Sequence, residues 1–324
     1  MMQESNYLPL VQELGFTTLH SKQVLQTLWG GYGELVRLYV DDSSVVVKHV
    51  RLPKPEHHPR GWNTDLAHQR KLKSYQVELA FYQDYAEQHL QSSPVPQPLK
   101  VKLQNDEMLL VMQDLQFLGY PAVVKEASLE QLSACLEWLA YFHAQHIGTG
   151  GERLWPTGTY WHLATRPDEL AALNDQRLSA AASIIDEVLT QAPYQTLVHG
   201  DAKLANFCFS VDGQRAAAVD FQYVGKGCAM KDVALFMSSA VLPKQCAKME
   251  AWLLDCYFGH LRRALNQHQP DIDREDVERK WRPLFAIAWA DFQRSVKGWS
   301  PEHWKINPYT ERLTERALNE LGVR

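Results

Sequence analysis

Long apolar runs are missing from this chain. No stretch of about 18 consecutive apolar residues occurs, so no membrane-spanning helix is expected. A large excess of one charge is missing too. The 33 Lys and Arg against 38 Asp and Glu leave a net charge of −5, which argues against a dedicated nucleic-acid surface. Cysteine is sparse: Cys135, Cys208, Cys228, Cys246 and Cys256 are an odd number with no C-x-x-C pair. That pattern fits neither a zinc site nor a disulfide framework and suits buried reduced thiols. His57-His58, between Pro55 and Pro59, lacks metal-ligand spacing. The opening residues MMQESNYLPL carry Glu4 early and no apolar h-region, so a signal peptide is not expected and the cytoplasm is the default location. Repeats of fixed period and low-complexity tracts are likewise lacking.

What remains is an ordinary globular composition, 45% apolar and 22% charged, in a chain of 324 residues that suffices for two lobes. The first part reads as β-rich. Gln23–Leu28, Gly33–Val40 and Ser44–Val50 are short runs punctuated by Gly30-Gly31-Tyr32-Gly33 and by Asp41-Asp42-Ser43, an antiparallel meander. Asp65–Leu90 carries Leu72, Tyr75, Leu79 and Tyr82 at helical spacing. Val101–Leu103 and Met108–Met112 then read as strands about an Asn105-Asp106 turn. From Ser128, which opens a capping box with Gln131, the pattern turns helical. Helices are expected over Pro167–Thr190, Asp232–Val241, Gln245–Asn266, Arg274–Lys297 and Tyr309–Leu321. Thr196–Val198 is an embedded strand, and Phe207–Ser210 with Ala216–Val219 form a hairpin about Asp212-Gly213. The expected fold is α+β: a small antiparallel β lobe with one helix (1–115) and a larger, mostly helical lobe (116–324), linked near Met112–Gln116.

The strongest chemical signal is Leu197-Val-His199-Gly-Asp201-Ala-Lys203-Leu-Ala-Asn206, followed by Ala218-Val-Asp220-Phe221. Phosphoryl transfer needs a carboxylate to orient the acceptor hydroxyl. It also needs an amide oxygen and a second carboxylate to hold Mg²⁺ against the phosphates. Placing Asp201 and Asn206 on one loop, with Asp220 at the end of the next hairpin, lets the three converge.

At these residues the sequence resembles the aminoglycoside phosphotransferase, choline kinase and ecdysteroid kinase-like superfamily, relatives of the protein kinases. Gly200, where protein kinases carry arginine, points to the small-molecule branch. The segment KLKSYQVELAFYQDY looks most like the ecdysteroid kinase-like group. The resemblance implies a bilobal protein-kinase-like fold. It implies Asp201 as catalytic base or hydroxyl-orienting group, and Asn206 and Asp220 as Mg²⁺ ligands. Lys203 is a candidate for neutralising γ-phosphate charge, and His199 for bracing the loop. Lys48, late in the strand Ser-Val-Val-Val-Lys48, is assigned to the α/β-phosphates of ATP, with Glu78 in Ser74-Tyr75-Gln-Val-Glu78 as its partner. Gly31 and Gly33 lie where backbone N–H groups approach phosphate. Met112 suits an adenine-pocket wall, with the Gln113 C=O and Leu115 N–H reading the adenine edge. Asp232 opens a helix and reads as its N-cap, while the resemblance implies that a matching Asp supports the catalytic loop.

The acceptor is expected to be a small-molecule alcohol bound over the helical lobe. Trp289, Asp291 and Phe292 are the candidates, in an aromatic C-terminal region that also holds Trp281, Trp299 and Trp304. Aromatics with an acid suit a cationic head group by cation–π contact, or a flat apolar pocket for a steroid-like alcohol, or core packing. The expected activity is therefore ATP-dependent phosphorylation of an amino alcohol, an aminoglycoside-like or a steroid-like alcohol. A catalytically silent nucleotide-binding module is the alternative.

Overall fold

The structure, a computed structural model, describes residues 7–28, 31–51, 65–89, 91–104 and 107–323. Glu4, Gly30, His57-His58, Leu90 and the Asn105-Asp106 turn lie outside the described residues. Five strands form one antiparallel sheet in the order β1-β2-β3-β5-β4: β1 (Leu19–Thr27), β2 (Gly33–Val40), β3 (Ser43–Arg51), β4 (Pro98–Gln104) and β5 (Glu107–Gln113). The turn between β2 and β3 is tight, with Asp41 at a φ of 43°. The Asp41 carboxylate fastens it by accepting from the backbone N–H groups of Thr17 and Thr18.

Strand alternation decides what faces the interior. Val36, Leu38 and Val40 of β2 and Val45 and Val47 of β3 point to one side. There they are covered by Val11 of a short helix, α1 (Leu8–Glu13), which the sequence reading did not anticipate. The other side of β3 carries Lys48 and Val50. Val50 packs with Tyr75 and Phe81 of helix α2 (Asp65–Asp84), so the same register that buries the valines aims Lys48 at α2.

The remainder is mostly helical, and the α+β class expected from the sequence is the one observed. Helix α3 (Leu129–His146) starts at the expected capping box, Ser128 with Gln131. The single helix expected over Pro167–Thr190 is two, α4 (Pro167–Ala171) and α5 (Gln176–Thr190), because Asp175 caps the second by accepting from Leu178 N–H. Strand β6 (Thr196–Val198) pairs with β9 (Gly225–Gly227), and β7 (Phe207–Phe209) pairs with β8 (Ala216–Ala218) across the expected Asp212-Gly213 turn. Helices α6 (Met230–Ala240) and α7 (Pro243–His268) follow. The helix expected over Arg274–Lys297 is α8 (Arg274–Trp281) and α9 (Leu284–Trp299), broken where Pro283 removes a backbone donor. Helix α10 (Pro308–Glu320) completes the order. One core runs through both parts, from Phe81 and Tyr82 through Trp138, Phe142 and Phe221 to Trp281. Among the described residues no helix is long and apolar enough to cross a membrane, and all five cysteines are free thiols.

Candidate active site

Residues 199–206 form an irregular loop after β6, and buried groups dictate its course. Asp232 is fully buried. Its carboxylate accepts from His199 N–H at 2.6 Å, from Gly200 N–H at 2.9 Å and from the His143 ring at 3.1 Å. It therefore does not cap its own helix as expected: α6 begins at Met230 with no side-chain cap, and Asp232 anchors the loop instead. His199 accepts from Asp201 N–H at Nδ1, so its Nε2–H is the donor to the Val219 carbonyl, 3.1 Å away. The ring ties the loop to the strand leading into Asp220 and moves no proton in this arrangement. Gly200 is required by shape, since a Cβ there would lie 2.0 Å from the Tyr223 carbonyl and its φ is +79°.

Asp201 is buried, and its Oδ2 accepts from Lys203 Nζ at 2.7 Å and from Asn206 Nδ2 at 3.2 Å. Asn206 Nδ2 also donates to the Asp201 carbonyl at 2.8 Å, which fixes the amide and leaves its Oδ1 as the outward atom. Asp220 holds a left-handed backbone, φ 71°, at the end of β8 and the start of the next turn. Its Oδ1 accepts from Lys48 Nζ at 3.2 Å and from Gln222 Nε2 at 2.8 Å. Among the described residues no hydrogen bond reaches Asp201 Oδ1, Asn206 Oδ1 or Asp220 Oδ2. Burial pushes the Asp220 carboxyl up, but Lys48, Lys203 and Lys71 outweigh it and hold it at about 2. Burial pushes the Asp201 carboxyl up, with Lys203 opposing.

Lys48 is buried and bridges the two halves of the molecule, with Glu78 at 2.7 Å and Asp220 at 3.2 Å. Burial disfavours its charge, yet the two carboxylates win and raise its pKa, while burial pushes Glu78 up. Helix periodicity puts Lys71, Ser74 and Glu78 on one face. Lys71 Nζ donates to Gln222 Oε1 at 2.8 Å, joined by Ser74 Oγ at 3.2 Å. Gln222 thus ties α2 to Asp220. Phe221 does the same by stacking on Phe81, with ring centres 3.8 Å apart. Lys71 lies over the Tyr75 ring at 4.4 Å. Burial, then the neighbouring Lys48, lowers its pKa to about 8.

The linker is clasped to the sheet. Asp114 accepts from Arg37 Nε at 2.5 Å and from Ser44 Oγ at 2.5 Å. Met112 and Leu115 are buried, Gln113 N–H donates to Gln97, and among the described residues Leu115 N–H donates to no protein group. Gly31, with φ +76°, has open space where a Cβ would stand. Gly33 is different: a Cβ there would lie 1.9 Å from the His49 carbonyl, so what approaches its backbone is the neighbouring strand β3.

The C-terminal candidates do not join the others. Asp291 is fully buried, with Arg294 Nη2 at 2.9 Å, Trp161 Nε1 at 2.9 Å and Lys231 Nζ at 3.3 Å. Trp289 packs against Phe285 and Tyr309 inside the helical core. Phe292 stacks edge-on to Trp161 and shows an edge to a separate cavity. The expectation of an acceptor pocket on Trp289 and Asp291 is thereby corrected: both side chains face inward, and every oxygen of Asp291 is taken. A cavity of about 290 Å³ instead opens beside Asp201, Lys203 and Asp220, walled also by Arg70, Lys71, Arg166 and Tyr223. Of these, the sequence reading missed Arg70, Lys71, Arg166 and Tyr223. Lys71 was findable, being seven residues before Glu78 and so on its face. Arg166 has no local signal.

The oxygen atoms left over bear on a metal. Asn206 Oδ1 and Asp220 Oδ2 are hard oxygen donors of the kind Mg²⁺ prefers, neither taken by a protein donor among the described residues, and such an ion takes most remaining ligands from phosphates and water. Among the described residues no group of three or more His, Cys, Asp or Glu is gathered, so the protein's own share would be these few oxygens. The donor set fits.

Comparison with known proteins gives the family and the fold. A model of the phosphotransferase enzyme family matches residues 25–265, and the chain belongs to that family. The match does not reach the finer ecdysteroid kinase-like group. No curated protein matches the chain. Solved structures share its kinase-like fold at low identity. A type I macrolide 2'-phosphotransferase is 15% identical with a TM-score of 0.52, covering 97% of this chain and 94% of that one. A microcompartment-associated aminopropanol kinase is 14% identical with a TM-score of 0.51, covering 98% and 99%. An amicoumacin kinase in complex with AMP-PNP and Ca²⁺ is 11% identical with a TM-score of 0.50, covering 98% and 93%.

Proposed function

We propose that this member of the phosphotransferase enzyme family is an ATP- and Mg²⁺-dependent kinase that phosphorylates a hydroxyl group of a small molecule. One observation carries the reading: Asp201 and Asp220 wall one cavity, Asn206 Nδ2 is held on Asp201, and Lys48 joins Asp220 to Glu78. The AMP-PNP named in the amicoumacin kinase complex supports an adenine nucleotide as donor.

In this reading the nucleotide lies between a 1–115 lobe and a 116–324 lobe. Met112 walls the adenine, and the Gln113 C=O and Leu115 N–H read its edge. Lys48 binds the α/β-phosphates, Gly31 leaves room for them, and Lys71 and Lys203 face the phosphoryl group in transit. When bound, Mg²⁺ neutralises phosphate charge, and Asn206 and Asp220 would hold it. Asp201 Oδ1 accepts the proton of the acceptor hydroxyl as the acceptor oxygen bonds to the γ-phosphorus. The bond from that phosphorus to the β–γ bridging oxygen breaks, ADP leaves, and the proton passes to solvent. The transition state is loose, so positioning and charge supply most of the rate. A cytoplasmic location, where ATP is supplied, belongs to this reading, and the Ser74–Tyr82 pattern supports kinship with the ecdysteroid kinase-like group.

Asp201→Ala tests the mechanism. Acceptor-dependent ADP release should fall by on the order of a thousandfold while calorimetry still shows Mg-ATP binding. An active alanine variant would remove Asp201 from the chemistry.

A further inference from the structure

A second cavity, of about 250 Å³, adjoins the first and shares Arg166 as a wall. Its other walls include Tyr160, Phe292, Trp299, His303 and Lys305, all from the helical half, with neither Lys48 nor Asp220 among them. Two of its walls, Tyr160 and Lys305, lie within electrostatic reach of Asp201.

The charges here are unbalanced. Lys305 Nζ donates to Ser238 Oγ at 3.1 Å and sits 5.0 Å above the Phe292 ring, and no carboxylate of the described residues lies within ion-pair distance. Arg70 Nη1 donates to the Thr165 carbonyl and likewise has no carboxylate partner among the described residues. Arg166 has one, Glu169 at 3.1 Å, and turns its Nε to the Tyr160 carbonyl. The carboxylates in the two walls, among the described residues, are Asp201, Asp220 and Glu169. The first two serve phosphoryl transfer and the third is already neutralised. Burial lowers the Lys305 ammonium to about 8, with Asp201 opposing and Lys203 adding to the fall. Holding like charges together in a half-buried site costs free energy that a bound anion would recover. A cationic acceptor would add to the imbalance. With Lys48, Lys71 and Lys203 assigned to the nucleotide, Lys305, which has no carboxylate, and the Nη2 of Arg166, which has no hydrogen-bond partner among the described residues, are left for another anion.

Resting on the kinase reading above, we infer that the acceptor is an alcohol bearing a carboxylate or phosphate group, which Arg166 and Lys305 bind while its hydroxyl meets Asp201. The aromatic edges of Phe292 and Trp299 take the carbon frame between the two ends.

Calorimetry in the presence of Mg-AMP-PNP provides the test. The probes are 3-hydroxybutyrate and glycerol 3-phosphate, which separate carboxylate from phosphate, with glycerol and ethanolamine as neutral and cationic counterparts. At least one anion should bind at least tenfold more tightly than both counterparts. Lys305→Met and Arg166→Met should each weaken that binding tenfold or more, with circular dichroism unchanged, and Lys305→Arg should retain it. Equal or reversed preference, absence of binding by either anion, or indifference to both methionine variants overturns the inference. Coupled ADP release is run on the same panel. Turnover of ethanolamine alone keeps the kinase reading and sinks this one, and anion binding without turnover of any alcohol does the reverse.

Discussion

Two buried charge clusters in this molecule look alike in composition and differ in what they leave unfinished. Around Asp220 stand Lys48, Glu78 and Gln222. Around Asp291 stand Lys231, Arg294 and Trp161. Asp291 spends both oxygens on protein donors and has no exposed surface, whereas Asp220 spends one and turns about a third of its side chain to a cavity. A closed cluster stabilises a packing arrangement, and an open one holds binding capacity in reserve. The spare atom, rather than the presence of charge or the burial, distinguishes a site from a strut.

The largest effect expected from this contrast is at Asp220. Asp220→Asn should lower kcat about a thousandfold or more while urea denaturation stays within about 1 kcal/mol of the parent, because Lys48 keeps Glu78. Asp291→Ala should behave oppositely, costing roughly 3–5 kcal/mol of unfolding free energy by stranding Lys231 and Arg294 in the core. A stable Asp291→Ala protein without turnover would break the distinction. Next comes Gly200→Ala, which forces a Cβ against the Tyr223 carbonyl at an unfavourable φ. It should cost about 2–3 kcal/mol, read as a lowered Tm. The smallest effect concerns the open cluster's other ammonium. Lys71 has an amide and a ring for company where Lys231 has a carboxylate. Its lowered pKa, about 8, means that it is charged below that pH and neutral above it. Mg-ATP affinity should therefore fall severalfold between pH 7 and pH 9 by calorimetry, and Lys71→Arg should flatten that fall.

The loop chemistry was legible because it is local. His199, Asp201 and Asn206 sit within eight residues, and a strand–turn–strand carries the chain straight to Asp220. Lys48 and Glu78 were paired through the resemblance, and strand alternation with helix spacing is what turns the two side chains toward each other in the structure. Asp291 was misread because helical spacing tells which residues share a face and not whether that face looks inward. Local pattern offered Asp232 only as a cap, and its loop-supporting role came through the resemblance alone, because its partners, the N–H groups of His199 and Gly200, come from more than thirty residues away. The cations beside the cleft arise from α2, from the stretch before α4 and from the stretch before α10, and only the tertiary fold brings them together. The break at Pro283 is legible in the proline itself, which the helix expected over Arg274–Lys297 runs through.

The stack of Phe221 on Phe81 has a mechanical corollary. Phe221 follows Asp220 directly, and Phe81 comes three residues after Glu78 on the same helix, so the acid and the lysine's partner are riveted through two rings 3.8 Å apart. With Gln222 latched to Lys71 and Ser74 as well, α2 and the Asp220 turn are joined at two points besides the Lys48 bridge, so a displacement of either carries Glu78 and Asp220 together.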